Sequence, residues 1–140
     1  MSLTNLEVIR AVFEAWGRGD IEGVFREHFE PSAHVDLSEN VFNPAVYEGY
    51  EEVARQRREV GDVWEDFEIE VAQLFEGEDV VVAFTHEHGR GKASGVEVER
   101  DTAFVFRLRE GKISEVCGYR DRERALAYAG LSSAHDSRDS

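Results

Sequence analysis

A chain of 140 residues that is 41% hydrophobic, with no run approaching 18 apolar residues, can bury one substantial core and shows no membrane-spanning helix pattern. Its 16 Lys and Arg against 30 Asp and Glu leave a net charge of −14, which opposes nucleic-acid binding because that task needs clustered cations. The single cysteine, Cys117, cannot form an internal disulfide, and Met1-Ser2-Leu3-Thr4-Asn5 lacks the basic and apolar regions of a secretion signal, so a cytoplasmic location is expected.

The first predicted element is a helix. Thr4 and Glu7 are spaced as a capping box, with Leu3 and Val8 placed as a hydrophobic staple across it. Ile9, Val12, Phe13 and Trp16 recur at helical spacing, and Gly17 and Gly19 end the run. Asp20 is positioned to cap a second helix whose stripe is Ile21, Val24, Phe25 and Phe29, closed by Pro31. His34 to Leu37 reads as a short strand. Ser38 to Gly49 has Pro44, two Asn and no period, as expected of a loop long enough to act as a flap. A third helix is predicted over roughly 50–63, with Tyr50, Val53, Ala54 and Val60 on one side. Arg57 falls on that same side, where it either snorkels at the rim or reaches into a cavity.

Strands follow. Phe67, Ile69 and Val71 alternate with Glu68 and Glu70, and Val80 to His88 forms a second long strand after the turn at Gly77. The segment 89–95, Gly-Arg-Gly-Lys-Ala-Ser-Gly, reads as a connection; it lacks the strand-to-helix context of a phosphate loop. Val96 to Arg109 and Lys112 to Arg120 make the last hairpin, and Arg122 to Ala129 a final helix stopped by Gly130. Helices followed by a strand meander give an α+β class: a curved antiparallel sheet packed against three N-terminal helices, forming a cone with an internal pocket. The domain is expected to span 1–131, with a polar, disordered tail at 132–140.

Five segments in order carry a resemblance: Glu14-Ala15-Trp16-Gly17-Arg18-Gly19-Asp20, Tyr47-Glu48-Gly49-Tyr50-Glu51-Glu52-Val53, Ser94-Gly95-Val96-Glu97-Val98-Glu99, Arg109-Glu110-Gly111-Lys112-Ile113 and Asp121-Arg122-Glu123-Arg124-Ala125-Leu126. Over about residues 4 to 131 the chain resembles the nuclear transport factor 2-like superfamily, and within it the SnoaL-like polyketide cyclase branch, whose architecture is similar to that of ketosteroid isomerases. The resemblance implies a cone fold, a homodimer and no required metal or cofactor. It also places the cyclase acid at Gly118 and the cyclase histidine at Phe104. Neither residue transfers a proton, so the cyclase mechanism is not expected in its usual form.

Other residues are therefore the candidates for chemistry. His34 and Asp36, two apart on a strand, share a face and could act as a base and its orienting partner; equally, Asp36 could cap the following loop through an Asx-turn before Ser38. His86 and His88 also share a face, continued inward by Phe84; they could hydrogen-bond within the cavity, His86 being the alternative catalytic partner for Asp36, but no third metal ligand accompanies them, so no metal is expected. Arg120 and Tyr119, on opposite faces of the last strand, could stabilise oxyanion charge, one of them from inside the cone. Trp16, Tyr47 and Trp64 suit a flat polycyclic ligand, and the expected pocket is lined by Trp16, Phe25, Trp64, Phe104 and Phe106, with His34 and Asp36 converging on it. Arg57 and His88 complete the candidate ligand-binding set. Two functions follow: a cofactor-independent enzyme moving a proton on a small apolar, carbonyl-bearing compound (isomerisation, cyclisation or dehydration), or a non-catalytic ligand-binding or dimerisation domain. For a homodimer, the sheet face free of helices would offer Val105, Ala103 or Val81.

Overall fold

The capping box forms as spaced: the Thr4 N–H donates to Glu7 Oε1 at 2.9 Å, and the Glu7 N–H to Thr4 Oγ1 at 3.2 Å. It opens α1 (Asn5–Gly17), which buries Val8, Ile9, Val12, Phe13 and Ala15. Asp20 then accepts the Gly23 N–H at 3.0 Å and caps α2 (Ile21–His28). The computed structural model describes residues 4–17, 20–39 and 44–131. Leu3 of the staple, residues 18–19 of the helix-joining motif and the 132–140 tail lie outside the described residues.

The chain leaves α2 earlier than its apolar stripe suggests. Phe29 has extended dihedrals and begins β1 (Phe29–Asp36), which runs straight through Pro31. Proline disfavours helix at the residue before it and donates no hydrogen bond, and the ladder of β1 is irregular between Phe29 and His34, where that missing donor falls. The expected flap also contains a strand. In β2 (Val46–Glu48), Tyr47 is buried between two exposed neighbours, and the three residues pair antiparallel with His34, Val35 and Asp36.

Next come α3 (Gly49–Val63), β3 (Trp64–Gly77), β4 (Val80–Gly91), β5 (Glu97–Arg109), β6 (Lys112–Tyr119) and α4 (Arg122–Tyr128). Gly89-Arg90-Gly91, expected in a connection, belongs to β4, because pairing with both β3 and β5 outweighs weak intrinsic strand preference. The β5–β6 turn is the two-residue Glu110-Gly111 loop, with φ of 53° and 79°; a turn with both central residues at positive φ matches the twist of the strands it joins. The six strands form one unclosed, curved sheet in the order β2-β1-β6-β5-β4-β3. All ladders are antiparallel except β1 with β6, which is parallel, so the sheet is mixed rather than wholly antiparallel.

Period-2 geometry decides what each face holds. Val81 and Ala83 of β4, Phe104 and Phe106 of β5, Val116 of β6 and Ala33 and Val35 of β1 join the cluster built with α1, α2 and α3. Val80, Val82 and Phe84 of β4 with Ala103 and Val105 of β5 form a second cluster, closed by Ala125, Leu126 and Ala129. Helices thus pack on both sides of the sheet. The apolar residues expected to seek a partner copy are already occupied: Ala103 and Val105 lie under α4, and Val81 faces the other way. Beyond α4 that outer face carries His86, His88, Glu68, Glu99 and Asp101, a charged surface. No helix among the described residues is long and apolar enough to cross a membrane.

Phe106 is fully buried and meets the Phe13 ring edge-on at 5.7 Å, fastening α1 to the sheet. Phe106→Ala is expected to cost about 3–5 kcal/mol, read as a fall in the urea unfolding midpoint with the slope unchanged.

Candidate functional site

Between the sheet and the helices lies a cavity of about 70 Å³. Its sheet wall is Phe29, Val35, Phe67, Ile69, Glu87, Phe104 and Val116; Leu37 and Tyr47 close it at the β1–β2 side. The helical wall is Trp16 from the end of α1 and Val53, Gln56, Arg57 and Val60 from α3. Of the sequence candidates, Trp16, Tyr47, Arg57 and Phe104 meet here. A cavity that takes up benzene has roughly 150 Å³, so with the side chains in these positions a flat polycycle does not fit and a compound of a few heavy atoms does.

The remaining candidates lie elsewhere, most of them for one reason of parity. Along β1 the buried residues are Phe29, Ala33 and Val35, with Leu37 just beyond it, so His34 and Asp36 face the opposite side. His34 Nδ1 lies 3.2 Å from Glu48 Oε2, and Asp36 Oδ1 accepts both the Ser38 N–H at 3.0 Å and the Ser38 hydroxyl at 2.7 Å. Those two bonds hold the Asp36 carboxyl below its ordinary pKa. It is a loop-capping carboxylate, a poor base, and it does not converge on the cavity with His34.

His86 and His88 likewise share the outer face with Phe84, which sits under α4 rather than pointing inward. His86 Nδ1 is 2.8 Å from Asp101 and its Nε2 2.9 Å from Glu99; these carboxylates raise its pKa. His88 Nδ1 is 3.8 Å from Glu68. No three His, Cys, Asp or Glu side chains among the described residues are arranged to hold a metal ion. Tyr119 packs in the outer cluster with the Arg124 guanidinium 5.0 Å over its ring. Arg120 is exposed beyond β6, its N–H donating to Glu39 Oε1, so neither Tyr119 nor Arg120 faces the cavity. Trp64 begins β3 away from the cavity lining, Phe106 is sealed in the core, and Phe25 borders a separate surface depression with Phe29 and Tyr50.

Gly118 and Phe104, where the resemblance leads us to expect the cyclase acid and histidine, are direct cross-strand neighbours. A Cβ built on Gly118 would come within 3.3 Å of the Phe104 ring and 3.6 Å of Leu37. The ring therefore lies over the glycine and fills the space a side chain at 118 would need. This local packing accounts for both departures together.

The polar group that does enter the cavity is Glu87. On β4 it shares the inner face with Val81, Ala83 and Thr85, and it is 1% exposed. The Thr102 hydroxyl donates to Glu87 Oε1 at 2.9 Å, while the Thr85 hydroxyl is committed to the Thr102 carbonyl at 3.1 Å. Burial pushes the Glu87 carboxyl up to about 7, against smaller opposing effects from the Thr102 hydrogen bond and from His86. Opposite it, Arg57 donates to the Trp16 carbonyl at 3.3 Å and lies 5.5 Å from the Phe67 ring centre; burial lowers its pKa. Gln56 is buried at 9% exposure. Sequence reading missed Glu87 and Gln56. The available signal for Glu87 was its parity with Val81 and Ala83, obscured by the two flanking histidines.

Because the Glu87 pKa is higher in the folded chain than its ordinary 4.5, the native state holds an extra proton between pH 4.5 and about 7. The stability linked to the neutral carboxyl is complete below about pH 4.5 and is lost as pH rises to about 7. That is roughly 3 kcal/mol at 1.36 kcal/mol per pH unit. In Glu87→Gln this fall should vanish, leaving the variant more stable than the parent at pH 8 by about that amount relative to their difference at pH 4.5. Urea unfolding at the two pH values measures it.

A search of the curated proteins finds no match. A nuclear transport factor 2-like protein from Burkholderia thailandensis superposes with a TM-score of 0.78 at 20% identity, over 92% of this chain and 98% of that one. A proposed SnoaL-like polyketide cyclase from Jannaschia sp. gives 0.71 at 23%, over 93% and 92%. TerC, co-crystallised with polyporic acid, gives 0.71 at 19%, over 91% and 96%. At these identities the likeness speaks for the fold. The SnoaL-like domain family matches residues 9–116, and the chain belongs to that family.

Proposed function

We propose that the protein is a cofactor-independent enzyme that takes a proton from carbon next to a carbonyl of a small compound and returns it, with Glu87 as the proton carrier. One observation supports this above the others: a carboxyl sealed in an apolar cavity, hydrogen-bonded through one oxygen, with its pKa pushed up to about 7. A base does best when its pKa lies near the working pH, because both protonation states are then populated and the driving force for transfer is kept. Thr102 fixes the carboxyl through Oε1, and the cavity keeps water away from the carbanion or enolate that forms. Relatives of this fold that include a proposed polyketide cyclase, and TerC co-crystallised with polyporic acid, are in keeping with a small organic substrate.

A second reading, a non-catalytic ligand-binding domain, is favoured by the replacement of both usual cyclase residues with Gly118 and Phe104. Exchange of α-hydrogens for deuterium decides between them. Small ketones and oxo acids incubated with the protein in D₂O and followed by NMR should exchange at a rate that rises with pH through about 7 and levels above it. Glu87→Gln should slow exchange by about 10²–10⁴-fold. Asp36→Asn, on the far side of β1, should leave it unchanged. Binding of several compounds with no exchange of any would make the non-catalytic reading the correct one.

A further inference from the structure

We infer that the compound held in this cavity carries a carboxylate, gripped by Arg57 and Gln56 of α3, with its short apolar body directed across the cavity toward Glu87. The part played by Glu87 rests on the function proposed above; the anion-binding part stands on α3 alone.

Three observations carry it. Gln56 borders the cavity with only 9% of its surface exposed, and its side-chain amide has no hydrogen-bond partner among the described residues. A buried amide without a partner loses its hydration and gains nothing in exchange, so such groups are rare unless water or a ligand completes them. Arg57, next along the helix, lines the same cavity, and burial is what acts on its pKa; no carboxylate among the described residues pairs with it. Of its five N–H donors, one goes to the Trp16 carbonyl, at a long 3.3 Å. The third observation is Glu87 itself. It lines the same cavity as Arg57, and no ion pair joins the two among the described residues. The guanidinium and the carboxyl thus face one apolar space without neutralising each other. Near pH 6, with Glu87 largely protonated, the lining is a cation that meets the Phe67 ring but no carboxylate among the described residues, beside an unfilled amide donor. That is the recognition chemistry of a carboxylate, which accepts from a guanidinium and an amide N–H together.

A plainer role for Arg57 exists. The Trp16 carbonyl belongs to the last turn of α1, where a cation is favoured by the helix dipole. That role needs one N–H and accounts neither for the remaining donors nor for Gln56. The net charge of −14 repels anions from the molecule as a whole, but such repulsion is screened beyond about 8 Å at physiological ionic strength. Contact with the guanidinium inside the cavity is not.

The experiment is calorimetric titration of the intact protein with butanoate and with butanamide, which match in shape and differ in charge. At pH 6 butanoate should bind at least tenfold tighter. Arg57→Gln should lose at least tenfold of butanoate affinity and little of butanamide's. Gln56→Leu, which suits a buried site and keeps the fold, should lose several-fold. Butanoate affinity of the parent should also fall as pH rises through about 7, since two carboxylates would then share about 70 Å³, and Glu87→Gln should abolish that fall. Melting temperatures separate damage from recognition: Arg57→Gln that melts lower yet binds butanoate as the parent does would leave only the helix-capping role. Equal affinity for the two probes, or no butanoate binding at concentrations of about tens of millimolar, corresponding to roughly 2 kcal/mol of binding free energy, would also overturn the assignment. Because these are binding measurements, their failure leaves the deuterium-exchange test of Glu87 standing.

Discussion

Strand β4 is buried on both of its faces, and the placement of every candidate group follows from that. Val80 to Thr85 are all within 5% exposure, so each residue packs, alternately, against α1–α3 or against α4. Continuing the alternation past Thr85 sends His86 and His88 to the α4 side and Glu87 to the helical side. A carboxyl delivered by a strand into an apolar layer cannot turn toward water, as a carboxyl on a loop could. Its only concessions are the Thr102 hydroxyl and its pKa.

The outer face shows the same strand in the opposite electrostatic situation. His86 is half exposed and flanked by Asp101 and Glu99, which favour its charged form. The charge of His86 opposes the rise of the Glu87 pKa across the sheet, but burial outweighs it. Adjacent residues therefore titrate in opposite surroundings, burial raising the carboxyl's pKa and carboxylate neighbours raising the imidazole's. The sheet, one strand thick, insulates the cavity from a surface rich in charge.

Aromatic packing sets the cavity's size. Phe104 over Gly118, Phe13 against Trp16 and Phe106, and Trp16 at the end of α1 form a continuous aromatic layer. On the β5 and β6 side this layer presents aromatic rings, and they bound a cavity of about 70 Å³. The polar groups consequently come from β4 and α3, on the other side of the cavity. The ring at position 104 and the hydrogen at position 118 are two halves of one packing arrangement.

Local signals in the sequence determined much of the framework. The Thr4/Glu7 box, the Asp20 cap, the Glu110-Gly111 turn and the helical stripe of α1 each depend on residues within a few positions of one another, and each forms as its spacing requires. The Asx-turn at Asp36 was legible for the same reason. Facing was not. In Val80-Val81-Val82-Ala83-Phe84 both parities are apolar, so nothing local says which goes under α4 and which under α1–α3, and the histidines drew attention to the wrong one. Phe29, apolar in either state, could extend α2 or begin β1, and pairing with β6 decided it. The site at Glu87, Gln56 and Arg57 joins residues some thirty positions apart, and the burial that gives Glu87 its pKa is supplied by elements that no sequence window contains. Tertiary packing alone decided which carboxyl would be dehydrated, because desolvation depends on everything that surrounds a group and on none of its neighbours in particular.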